Sequence, residues 1–199
     1  MNPFFCFHDC FCRIIKRKKT LLCLLLLFLC STMCGILFVN SPSFYDYHLR
    51  ICDRFLDRVC YSQTSVFLIF VRRTAGHCFI LALIFISGVH PAACVFTPIA
   101  LIYRGYTFGG CIYIFFRVYR FSGAIVALVL YIPIHLMIDA VLIMGGGLAF
   151  SRAGGFRFCK SDGRELLIDF LLFVAIIAAV CLLEAVLLLA FFHPFGNVI

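Results

Sequence analysis

Hydrophobic residues come along this chain in long unbroken blocks, and charged residues gather in the stretches between them. One bilayer crossing takes about 20 apolar residues in helical form. Residues 21–39 make one such block, and further blocks cover 74–89, 91–116, 122–150 and 166–192. Between the first two the pattern changes to helical spacing. The chain is therefore predicted to be an all-α, multi-pass transmembrane protein, with about five crossings and one external amphipathic helix. The expected organisation is a basic tail over 1–20, a first crossing over 21–39 and an external amphipathic segment over 40–73. A four-crossing membrane domain over 74–192 and a short external tail over 193–199 complete it.

Within 40–73, Ser41 followed by Pro42 is a favourable helix start, a capping hydroxyl before a proline in the first turn. Tyr45, Leu49, Cys52, Leu56 and Val59 recur every three or four residues and share one face. Asp46, Arg50, Asp53, Arg54, Asp57 and Arg58 fall on the others, with Asp46 and Arg50 spaced for an i,i+4 pair. Arg50, Arg54 and Arg58 are the expected partner-docking residues; the competing reading is that the apolar stripe only packs on the protein's own crossings. The block after Arg72 and Arg73 is short, so either the bilayer thins there or the helix extends backwards. The third block is expected to be interrupted at Arg104-Gly105, and Pro133 to kink the fourth.

Composition supports the membrane assignment. The 199 residues are 64% hydrophobic and 13% charged, with a mean hydropathy of +1.11. A soluble domain is about half apolar and roughly a quarter charged. Seventeen basic against nine acidic residues give a formal charge of +8. The basic residues stand beside apolar blocks, where they hold anionic headgroups and set orientation, so nucleic acid is not an expected partner. Five of them precede the first block, which lacks a small-residue cleavage site and reads as an uncleaved crossing from a cytoplasmic N-terminus. Arg152, Arg157, Lys160 and Arg164 mark 151–165 as cytoplasmic too, while 193–199 carries no basic residue and is expected outside. This arrangement leaves Arg117 and Arg120 outside, against the usual bias, and a six-crossing alternative would split the third block at Arg104.

Of thirteen cysteines, Cys23, Cys30, Cys34, Cys78, Cys94, Cys111 and Cys181 read as small buried hydrophobes. Cys6, His8, Cys10 and Cys12 have soft-metal atoms without zinc-site spacing, and fit a reduced cytosolic tail. Cys52 and Cys60 stand about two turns apart on one helix, too far for a bridge.

Ionisable residues inside a crossing mark candidate sites. His135 and Asp139 lie one turn apart on one face of the fourth block and form an expected intramembrane polar pair. Arg104 needs a carboxylate at its depth, and Asp139 is the natural one. Asp169 and Glu184 are expected near the two ends of the fifth helix, reaching headgroups. Gly105 and Gly109 are spaced for close helix packing. No motif for a hydrolase, metalloprotease or magnesium site accompanies these residues, so no catalytic residue, metal or cofactor is expected.

The order of these features resembles the stage II sporulation protein M family of integral membrane proteins. The resemblance begins at Gly35-Ile36-Leu37-Phe38-Val39-Asn40, a glycine-to-asparagine run ending the first crossing. It continues through Arg104-Gly105-Tyr106-Thr107-Phe108-Gly109-Gly110, similar to the family's basic-Gly-aromatic-x-x-Gly element, with Gly110 in place of an aromatic. Tyr131-Ile132-Pro133-Ile134-His135 is similar to its Leu-Pro-x-Asn element, with His135 in place of the amide, and Ala149-Phe150-Ser151 closes the run. The resemblance covers about residues 20–190 and implies a membrane scaffold in septal peptidoglycan remodelling during engulfment. Its implied partners are cell-wall hydrolases resembling stage II sporulation proteins D and P. The alternative from the residues themselves is a transporter or permease subunit built on the broken third segment and His135/Asp139. An intramembrane enzyme comes third.

Overall fold

The computed structural model describes residues 18–60, 66–89, 95–153 and 160–192. The Cys6, His8, Cys10 and Cys12 group, Cys94, Arg157 and the tail 193–199 lie outside the described residues. Within these limits the fold is all-α, with no strand. The helices are α1 (Lys18–Phe38), α2 (Pro42–Cys60), α3 (Val66–Ile86), α4 (Phe96–Arg117) and α5 (Arg120–Val126). A π-helical turn, Ala127–Tyr131, joins α5 to α6 (Ile132–Ala153), and α7 is Lys160–Phe192. Among the described residues, five stretches are long and apolar enough to cross a membrane: Lys18–Phe38, Phe67–Ile86, Phe96–Arg117, Arg120–Phe150 and Gly163–Leu188. Helices suit that setting because hydrocarbon offers no partner to an open backbone group. The architecture is that of a multi-pass membrane protein with one amphipathic helix, α2, beside the spans.

Three local expectations change. The second span starts at Phe67, not residue 74, so the helix does extend backwards and takes Arg72 and Arg73 into its first turns. The third block is one unbroken helix through Arg104-Gly105, which leaves a sixth crossing no place to form there. Its charge is neutralised by a neighbour, and its glycine serves packing. The fourth block answers Pro133 with the π-helical turn just ahead of it. There the Ile132 N–H bonds the carbonyl of Ala127, five residues back. A widened turn is one way a helix accommodates a residue that lacks a donor and crowds the preceding turn.

α1 and α4 run side by side in the same direction on a seam of small residues. A Cβ on Gly105 would collide with Ser31 and Phe28, one on Gly109 with the Thr32 backbone, and one on Gly35 with the Tyr106 carbonyl. The hydroxyls on this seam are satisfied within α1: Ser31 Oγ donates to Phe28 O at 2.8 Å and Thr32 Oγ1 to the same oxygen at 2.9 Å. Gly105 and Gly109 both lie where the two backbones approach closely. α3 and α7 run antiparallel, Phe85 meeting Phe170 and Phe173 near one end and Arg73 meeting Glu184 near the other. α6 lies at the centre, with Ile138 and Leu142 fully buried, Gly145 against Phe85 and Leu81 of α3, and Gly146 against Thr97 of α4.

These pairings sort the bundle by its ends. One end gathers α2, the close of α1, α4 and α7 and the start of α3 and α5. It is tied by Tyr113 Oη donating to Asn40 Oδ1 at 2.7 Å and by Tyr119 donating to Asp53. The opposite end holds the start of α1, the turn after α3 and the close of α6. There Ser87 and Thr97 hydroxyls meet at 2.5 Å.

Candidate functional site

Two features carry chemistry: a cluster of ionisable side chains inside the bundle and the outward face of α2.

The cluster is built around Arg104. Its Nε and NH2 donate to Asp139 Oδ1 at 2.9 and 2.7 Å, and the same NH2 lies 3.2 Å from His135 Nδ1. Arginine only donates, so His135 Nδ1 accepts, and the neutral ring carries its proton on Nε2. The polar pair expected one turn apart on α6 is therefore brought together by a third residue from α4. His135 is further fixed by Tyr131, whose ring centroid lies 4.2 Å away, and by Phe108 at 6.3 Å.

A second ion pair lies toward the α2 end. Arg73 NH2 of α3 meets Glu184 Oε1 of α7 at 2.7 Å, with Glu184 2% exposed. The Arg73 guanidinium also covers the Phe55 ring of α2 at 5.7 Å. His77, one turn along α3 from Arg73, stands between the two pairs with its ring 6.2 Å from that of His135. Four spans thus contribute to one buried seam. The unpaired second oxygens of Asp139 and Glu184, His135 Nε2 and both nitrogens of His77 find no partner among the described residues. Asp169 and Glu184 are buried rather than directed to headgroups, because both project from the face of α7 that meets the bundle. Charges in the seam cancel in pairs, which is how a low-dielectric interior tolerates them. Among the described residues, no three His, Cys, Asp or Glu side chains converge closely enough to hold a metal ion.

α2 is fastened to the bundle by its apolar face. Cys52 and Phe55 are buried, and Tyr45, Leu49 and Leu56 are half-buried against the core; the Val59 side chain lies outside the described set. The stripe packs on the protein's own crossings. Phe55 meets Phe115 and Tyr131 edge-on, at 5.9 and 5.5 Å. Fully buried His48 occupies the space that Gly110 leaves, donating from Nδ1 to Phe44 O at 2.7 Å. Tyr47 shares a hydrogen bond with Tyr103 at 2.9 Å. Burial, then that bond, push the Tyr47 phenol up to about 12. Asp46, Arg50, Arg54 and Asp57 face outward. Arg50 Nε donates to the backbone carbonyl of Asp46 at 3.1 Å, in place of the carboxylate its spacing suggested. Arg58 lies in the last turn of α2, and its side chain is outside the described set.

The cysteines divide differently from the expectation. Cys111 and Cys181 are buried and Cys78 half-buried, but Cys23, Cys30 and Cys34 lie on the outer face of α1. Sequence reasoning found Arg104, His135 and Asp139 and missed the second pair. The signal was there in Arg73 and His77 at i,i+4 beside an apolar run, and in a glutamate within the most apolar helix. His48 gave no such signal, since a histidine in an amphipathic helix reads as surface.

Searches against protein-family models, curated proteins and solved structures find no match.

Proposed function

We propose that the protein is a non-catalytic membrane scaffold that holds partner proteins at the α2 end of its bundle, with the exposed Arg50 and Arg54 as the contact. The carrying observation is the division of α2 into two faces. One is packed into the bundle by Cys52, Phe55 and His48, and the other presents charges outward from that docked base. A docking surface ordered in advance loses less entropy on binding than a flexible one. The resemblance read from the sequence supplies the partner class, cell-wall hydrolases of the kind that remodel septal peptidoglycan. On this reading α2 and the C-terminus face outward from the cell membrane and the N-terminus is cytoplasmic. The buried ion pairs then serve to fix the spans under α2.

The test is Arg50→Glu combined with Arg54→Glu, scored by co-purification of a wall hydrolase from membranes with equal amounts of protein. Capture is expected to fall at least tenfold, equivalent to about 1.4 kcal/mol of binding. Undiminished capture removes this face as the docking site.

A second reading, a transporter or permease subunit, is favoured by His77 and His135 standing between two buried ion pairs. The unbroken α4 removes the discontinuous segment that a midplane binding site would use. His135→Asn separates the two readings. Lost function at normal abundance and normal partner capture favours the transporter.

A further inference from the structure

We propose that Cys52 and Cys111 are a redox pair whose disulfide latches α2 onto α4. Cys52 sits in the middle of α2 on its locked face, and Cys111 near the α2 end of α4. Cys52 Sγ lies 3.7 Å from the carbonyl oxygen of Cys111, so its thiol rests directly against that residue. Both residues are fully buried and both are free thiols. They come from separate helices 59 residues apart in sequence, so their approach is set by the tertiary fold and not by helical spacing.

The chemistry is thiol–disulfide exchange with a disulfide oxidant, either a small molecule or a protein. The thiolate of one cysteine attacks the oxidant and releases one thiol, leaving a mixed disulfide. The second cysteine, losing its proton, displaces the other thiol. The pair gives up two electrons and two protons, and the oxidant takes them up as two thiols. With α2 docked neither sulfur is accessible, so exchange proceeds when α2 lifts from α4, and redocking then shields the new bond from reductant. Closing a loop of this length removes freedom from every state in which α2 is detached. The latch deepens the docking reading, since it fixes the base of the charged face, but its chemistry needs no partner.

The experiment uses the full chain in its native membranes. One portion is treated with diamide, another with dithiothreitol; free thiols are then alkylated under denaturing conditions, and peptides are mapped without further reduction. Diamide is expected to produce a peptide joining Cys52 to Cys111, with parallel loss of both alkylated cysteines, and dithiothreitol added to the diamide-treated protein after denaturation to restore them. In Cys52→Ser protein, Cys111 should stay alkylatable after diamide. Should that variant fail to accumulate, the wild-type map decides alone. Recovery of both cysteines as free thiols after diamide, or capture of Cys52 by a different cysteine, overturns the latch. Protein carrying Arg50→Glu and Arg54→Glu should still form the link, so failure of docking and failure of the latch are told apart.

Discussion

Arg104 is among the costliest side chains to place within a membrane span, and its needs explain how α4 meets α6. Asp139 supplies the counter-charge through two hydrogen bonds to one oxygen, and His135 takes the remaining contact. Removing one member of a buried pair leaves the other charge bare, at about 3–5 kcal/mol. Arg104→Ala and Asp139→Asn are therefore each expected to cut membrane abundance and lower the thermal midpoint in detergent. Arg104→Leu combined with Asp139→Leu should be milder than either single change, because the double variant strands no charge. That ordering separates an ion pair from a packing contact. His135→Asn removes one neutral contact and is expected to be mild. By spacing alone Asn at both His135 and Asp139 conserves a polar contact; the geometry shows that it strips Arg104 of its counter-charge.

At the scale of elements, the tightest join is the small-residue seam between α1 and α4. Spans gain little from apolar contact in lipid, so close backbone approach carries much of their association. Gly109 faces the Thr32 backbone, which cannot swing aside as a side chain would. Gly109→Val should therefore separate the two helices, with overpacking costs at or above the usual 1–3 kcal/mol. A reduced yield of folded protein, checked by size-exclusion in detergent, is the expected outcome. A Cβ on Gly76 would meet nothing within 4 Å, so Gly76→Ala on α3 is the control and should be silent. Spans of this kind are legible in sequence because block length and apolarity fix them. Which residues face each other is a tertiary matter, and only Arg104 with Asp139 was readable, since a lone intramembrane charge demands an opposite one. Arg73 escaped because it stands at the edge of a block, where a cation reads as a flanking anchor. The helix begins earlier than its apolar block, and the contact with Glu184 shows that Arg73 turns into the bundle. The Arg104-Gly105 break was misread for the opposite reason. A charge beside a glycine resembles an interruption until its partners from α6 and α1 are in place.

For the whole molecule, five spans put the start of α1 and the close of α7 at opposite ends of the bundle. The basic residues then decide which end faces the cytoplasm. Lys18 and Lys19 open α1, and Arg164 lies at the start of the last span, at the same end. The α2 end is more evenly balanced, Asp46, Asp53 and Asp57 standing among its arginines. Arg117 is held by Tyr113 at that end, both by a hydrogen bond and with its guanidinium 5.5 Å from the ring centroid. The positive-inside bias counts basic residues in short loops and gives little weight to acidic ones. The basic tail before α1 and the basic 151–165 stretch therefore favour an inward-facing first end, while the arginines around α2 pull the other way. A reporter active only outside the cytoplasm, fused after Ile199, measures the outcome. Activity is expected there, together with inactivity of the same reporter inserted at 154–159. The reverse pattern would keep the five-span bundle but turn α2 toward the cytoplasm, beyond the reach of any wall hydrolase, and the proposed partner class would fall with it.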